Sequence, residues 1–162
     1  MKFSHYLKRL EECSEFRDFK DKHKNSYLCA GFFVLDFETH KNMHQIDFAL
    51  PNGKIATCIL EEGVKINISK QALKKKLPEI KDEVKTDIDA LKGIVDDEMK
   101  NHTVTQNIKK IIAVVQNLDG KNIWSLSCIT DGLGLIQVHL DDATENILKF
   151  EKRSLFDFVK KA

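Results

Sequence analysis

The segment Tyr27 to Glu38 constrains the fold more than any other stretch of this chain. Read as a strand, it is apolar in both of its alternating sets. Cys29, Phe33, Leu35 and Phe37 fall on one side, and Leu28, Ala30, Phe32 and Val34 on the other. Successive strand side chains point to opposite faces, so a strand of this kind must be covered on both. One cover would be a helix. The other would be the second half of the chain or another subunit.

The neighbouring sequence supplies the rest of a first layer. Phe3 to Lys22 reads as a helix with Phe3, Tyr6, Leu7, Leu10 and Cys13 at three- and four-residue steps. After the turn His40-Lys41-Asn42, a strand follows in which His44, Ile46, Phe48 and Leu50 alternate with Met43, Gln45, Asp47 and Ala49. Pro51-Asn52-Gly53 marks a tight turn, Ile55–Leu60 returns, and Gly63 introduces a short strand carrying Val64, Ile66 and Ile68. The stretch 70–83, with Lys74-Lys75-Lys76 and Pro78, reads as a linker.

Beyond the linker the plan repeats. Thr86 to Met99 is amphipathic, with Val84, Ile88, Leu91, Val95 and Met99 in phase. Thr103–Leu118 has two readings. Ile108, Ile111, Ile112 and Val115 fit a helix, with Thr103 or Thr105 as cap and Gly120 as stop. The β-branched run Ile111–Val115 and the Asp119-Gly120 turn fit a hairpin strand instead. Cap and period favour the helix, which is the expectation. Three strands then follow, Ile123–Ile129, Leu135–Leu140 and Asn146–Glu151, separated by Asp131-Gly132 and Asp141-Asp142-Ala143-Thr144. Ser154–Lys161 is expected to close the chain as a short helix with Leu155, Phe158 and Val159 turned inward. The sum is an α+β fold. It has an antiparallel sheet of six or seven strands from two helix-plus-meander halves, with helices mainly on one face. The halves are 1–69 and 84–162, expected to form one compact unit.

Composition narrows the function classes. Among 162 residues, 26 basic and 25 acidic side chains leave a net charge of +1, which provides no long-range field for nucleic acid or anionic lipid. The longest apolar run, Ile111–Val115, has five residues, far short of the ~20 that span a bilayer. Met1-Lys2-Phe3-Ser4-His5 lacks the apolar core of a signal peptide, so a cytoplasmic location is expected. Cys13, Cys29, Cys58 and Cys128 are widely spaced, which suits free thiols in a reducing compartment. The sequons at Asn67 and Asn101 read as chance matches in such a chain.

The run Asp119-Gly120-Lys121-Asn122-Ile123-Trp124, with Val138-His139-Leu140-Asp141 and Asn146–Phe150 after it, resembles the helix-plus-meander of PepSY-like and cystatin-like domains. The resemblance covers the final third. The whole chain is also similar to small uncharacterised archaeal proteins, which carry no activity over. PepSY-like domains are often exported inhibitory or regulatory modules; with a cytoplasmic location expected here, that role is not the expected one.

Candidate chemistry is sparse. His40 and His44 are four apart but straddle a turn, and a metal there would need a third ligand such as Asp47 or Glu38. Asp36, Glu38 and Asp47 on neighbouring strands, with His44 as proton carrier, make the one acid–base set. The plainer reading is that these are solvated strand ends. Lys74, Lys75 and Lys76 form the basic cluster, yet no aromatic lies between Phe48 and Trp124 to stack a base. Trp124, Phe32 and Phe33 are the aromatic anchors a binding surface would use, although alternation puts Trp124 with Leu126 and Cys128 in a core. No nucleophile, phosphate loop or dinucleotide signature is present, and no cofactor is expected. The leading expectation is a non-enzymatic module that binds a protein or small ligand, or a second copy of itself. The alternatives are a small hydrolase or isomerase using Asp36, Asp47 and His44, and a weak nucleic-acid binder.

Overall fold

The computed structural model describes residues 1–154. Two short helices open it, α1 (Phe3–Glu11) and α2 (Ser14–Lys22). They are not the single helix that the apolar spacing predicts. Cys13 is extended (φ −91, ψ 130) and interrupts the run. The break resets the helical phase: Phe3, Tyr6 and Leu10 are buried on α1, and Phe16 and Phe19 are buried on α2. In one continuous helix these two sets would face different directions.

Four strands follow, β1 (Tyr27–Asp36), β2 (Met43–Ala49), β3 (Ile55–Leu60) and β4 (Val64–Ile68). After the linker come a 3-10 turn at Ile88–Ala90 and helix α3 (Leu91–Asn101). Then come β5 (Ile108–Leu118), β6 (Lys121–Thr130), β7 (Gly134–Asp141) and β8 (Ile147–Ser154). All eight lie in one antiparallel sheet ordered β4-β3-β2-β1-β5-β6-β7-β8. The sheet is therefore wider than the six or seven strands expected.

The added strand is β5, where the sequence pattern favoured a helix. Ile111, Ala113 and Val115 point into the core and are fully buried, while Ile112 and Val114 point the other way. A bulge between Ile108 and Lys110 shifts the phase, so Ile108 and Ile111 are both buried. Their three-residue spacing imitates a helix. The β-branched residues prevail because β5 fills the seam between the halves, pairing with β1 on one side and β6 on the other.

The core lies on one face of the sheet. Leu10, Phe19, Leu91, Val95 and Met99 from the helices join Phe33, Ile46, Cys58, Ile111, Trp124 and Leu126 from the strands in one cluster. Gly31 is where α1 comes closest: a Cβ there would collide with the Phe3 ring and lie 3.0 Å from both Phe33 and Val115. The opposite face explains the doubly apolar β1 differently from the sequence expectation. The described residues of the second half extend the sheet sideways and do not lie over this face, where Cys29, Ala30 and Ala49 are buried beside Leu77 of the linker. Phe32 and Val34 meet Val114 and Ile112 across the β1–β5 seam, and all four are half-buried.

The linker runs across one end of the sheet and ties the strand ends together. Leu73 N–H bonds Gly53 O (2.9 Å) and Ile80 N–H bonds Leu28 O (2.8 Å). Tyr27 OH bonds Leu77 O (2.8 Å), Asn117 Nδ2 bonds Glu79 O (2.8 Å), and Asn122 Nδ2 bonds Asp82 O (3.0 Å). Thr86, expected inside a helix, ends this strap instead and is buried against Asp142. The expected terminal helix Ser154–Lys161 lies outside the described residues, apart from Ser154, which belongs to β8.

Candidate functional site

A cavity opens where α2 leaves the sheet. The α1–α2 break sets α2 apart from α1, and β1 enters beneath them. The space enclosed is about 570 Å³. That falls within the ~300–1,000 Å³ typical of small-molecule sites. Leu7, Phe16, Leu28 and Phe48 make its apolar floor. Phe16 and Phe48 pack with ring centres 5.3 Å apart. A second hollow of about 280 Å³ continues past Leu7 and Leu28 toward Ile80 and Val84 of the linker.

The rim is charged with both signs. Glu11, Arg17, Asp21 and Glu79 are exposed there. Lys20 differs, because it is half-buried and its ammonium is fixed. It donates to Ser26 O (3.1 Å) and Ser26 Oγ (3.0 Å), and it sits 5.5 Å from the centre of the Phe48 ring. Both acceptors are neutral. Among the described residues no carboxylate pairs with Lys20. The pocket thus offers an apolar floor and one positioned cation that, among the described residues, bonds no carboxylate.

The residues singled out from sequence are dispersed. His44 lies on the helix-covered face, stacked on Tyr6 at 4.8 Å, and burial holds its pKa below the usual imidazole range. Asp47 lies on the opposite face beside Gln45 Nε2 (3.2 Å), and burial pushes its carboxyl upward. Asp36 ends β1, where the Thr39 N–H holds its carboxyl below the usual range and Lys110 stands 3.7 Å away. These three do not converge on a common point. His40 is exposed in the β1–β2 turn, on no shared site with His44. Among the described residues no three His, Cys, Asp or Glu side chains group as a metal site. Lys74, Lys75 and Lys76 are exposed on the linker. Phe33 and Trp124 are fully buried core residues with rings 5.9 Å apart, and Phe32 is half-buried on the sheet face opposite the helices. Burial raises the thiol pKa of Cys29, Cys58 and Cys128 to about 12, so none is a ready nucleophile at neutral pH.

Sequence reasoning missed Lys20 and Phe16 as pocket residues. Their signal was the Cys13 break, since without it α2 would continue α1 and no recess would form.

Among the described residues no helix is long and apolar enough to cross a membrane. No family model and no curated protein matches the chain. The fold is similar to that of a solved crystal structure of a "putative lipoprotein" from Clostridium difficile. The TM-score is 0.57 and identity 11%, over 86% of this chain and 90% of that one. At such identity the likeness concerns the fold alone.

Proposed function

We propose that this chain is a non-enzymatic binding module whose ligand is a small amphiphile with an anionic head, such as a carboxylate or phosphate, and an apolar body. The observation that carries the reading is Lys20. Its ammonium is held over an apolar floor by two neutral oxygens, without a carboxylate partner among the described residues. An anion placed there gains a charge-assisted bond in a half-buried setting, where such bonds are about twice as strong as neutral ones. The apolar body covers Phe16, Leu28 and Phe48. The four exposed rim charges are solvated and contribute little by comparison.

The test is calorimetric titration of the intact protein with decanoate and decyl phosphate, using decanol as the uncharged control. Decanoate and decyl phosphate are expected to bind at least tenfold more tightly than decanol, and Lys20→Met to abolish that preference while leaving the fold intact. Absence of binding by all three ligands, or an anion preference that survives Lys20→Met, overturns the reading.

A further inference from the structure

The two edges of the sheet are built differently. On β8 the edge carries Lys149, Glu151, Lys152 and Arg153, a charged run of the kind that discourages strand pairing. The β4 edge carries one charge, Lys65, and neither proline nor glycine.

Backbone and side chains of β4 point to the same three residues. Ser69 N–H bonds Ile55 O (2.8 Å) and Glu61 N–H bonds Gly63 O (3.0 Å). These pairs share the register of Thr57↔Asn67 and Ile59↔Lys65. Hydrogen-bonded and non-bonded pairs alternate in an antiparallel ladder, so Lys65 and Asn67 turn their N–H and C=O groups toward β3. Val64, Ile66 and Ile68 turn theirs outward. The side chains of these three stand opposite Leu60, Cys58 and Ala56, each fully buried, and so line the outer margin of the core. Val64 and Ile66 pack on that core, and Ile68 remains 44% exposed.

We propose that β4 pairs antiparallel with β4 of a second copy of this chain, joining the two sheets edge to edge about a two-fold axis at Ile66. In that register Ile66 faces the partner's Ile66 and Val64 faces the partner's Ile68. The outward backbone groups of each pair exchange both hydrogen bonds. Lys65 faces the partner's Asn67, so no like charges meet. Centring on Lys65 would set two lysines opposite each other, which is destabilising. Centring on Asn67 would leave Val64 beyond the ladder. A single short strand buries less than the ~1,200 Å² of a standard interface, so the dimer is concentration-dependent.

Light scattering during size-exclusion chromatography of the full chain, from low-micromolar to near-millimolar protein, tests this. The mass is expected to rise from one chain to two. Ile66→Pro removes the outward N–H, which suits an edge strand, and gives up part of the core contact of Ile66. It and Ile68→Lys are each expected to stay monomeric throughout, Ile68→Lys with the circular dichroism and melting midpoint of dilute wild type and Ile66→Pro with a lowered midpoint. If Ile66→Pro fails to fold, Ile68→Lys decides alone. Wild type that stays monomeric at the highest concentration, or a dimer that survives Ile68→Lys, overturns the proposal.

Discussion

Replacing Asp142 should cost more stability than replacing any other side chain at the sheet's linker end. Asp142 is 2% exposed and sits in the turn after β7. Its carboxylate accepts from Lys85 N–H (2.7 Å), Thr86 N–H (2.9 Å) and Trp124 Nε1–H (2.9 Å). Its carbonyl accepts from Thr86 Oγ1 (3.1 Å), and its N–H donates to Asn122 O (3.0 Å). One side chain thus joins the end of the linker, the β7–β8 turn and the core tryptophan. Asp142→Ala leaves three donors without a partner, two of them buried. An orphaned buried donor costs about 1–3 kcal/mol, and the three are coupled, so we expect a loss of roughly 3–5 kcal/mol. Asp142→Asn keeps one acceptor oxygen for Thr86 and Trp124 but turns an amide donor toward the Lys85 N–H. We expect a loss of about 2 kcal/mol there. Urea unfolding followed by Trp124 emission measures both, since Trp124 is the single tryptophan and reports on this contact itself. A cost below about 1 kcal/mol for Asp142→Ala would refute the reasoning, because that is the cost of one ordinary neutral hydrogen bond.

Lys20→Met should erase discrimination between decanoate and decanol in calorimetry without changing the melting midpoint. Ile68→Lys should hold the protein monomeric at concentrations where wild type doubles its mass. His44 titrates below its usual range because it is buried, so the unfolded chain binds more protons than the folded one as pH falls through about 6.5 and below. Its contribution to stability is therefore present above that range and lost on acidification, and denaturation midpoints of His44→Gln should fall less between pH 7 and pH 5 than those of wild type. Gly31→Ala should destabilise by about 1–3 kcal/mol through overpacking against Phe3, Phe33 and Val115, read in the same urea experiment.

Most of the strand layout was legible because its turns are explicit: Asn52-Gly53, Asp119-Gly120 and Gly132 all have positive φ at glycine. The failures trace to interruptions of periodicity. In β5 a bulge next to Lys109 places Ile108 and Ile111 in the core three residues apart, and the apolar Ile112 and Val114 on the opposite face hide the alternation that would have marked a strand. In β1 a second bulge between Leu28 and Ala30 moves Leu28 onto the face of Phe33, so it floors the pocket and leaves the set to which simple alternation assigns it. At Cys13 an extended residue inside an apolar helical pattern splits one helix into two. The candidate acid–base trio had a similar origin. His44 and Asp47 are near in sequence, but an odd spacing on one strand sends them to opposite faces.

The two halves share a strand plan, yet their helical layers differ, and the candidate pocket lies where they differ. Over β5–β8, among the described residues, the helix α3 lies on the sheet, and the residue after its end stacks, His102 on Phe150 of β8 at 4.1 Å. Over β1–β4 lie two helices of nine residues each, α1 and α2, and the break between them leaves a recess that no side chain of the first half fills. The edges follow the same division, charged at β8 and bare at β4. On the readings proposed above, the first half keeps the recess and the β4 edge, and Lys20 and Ile66 are the residues that would use them.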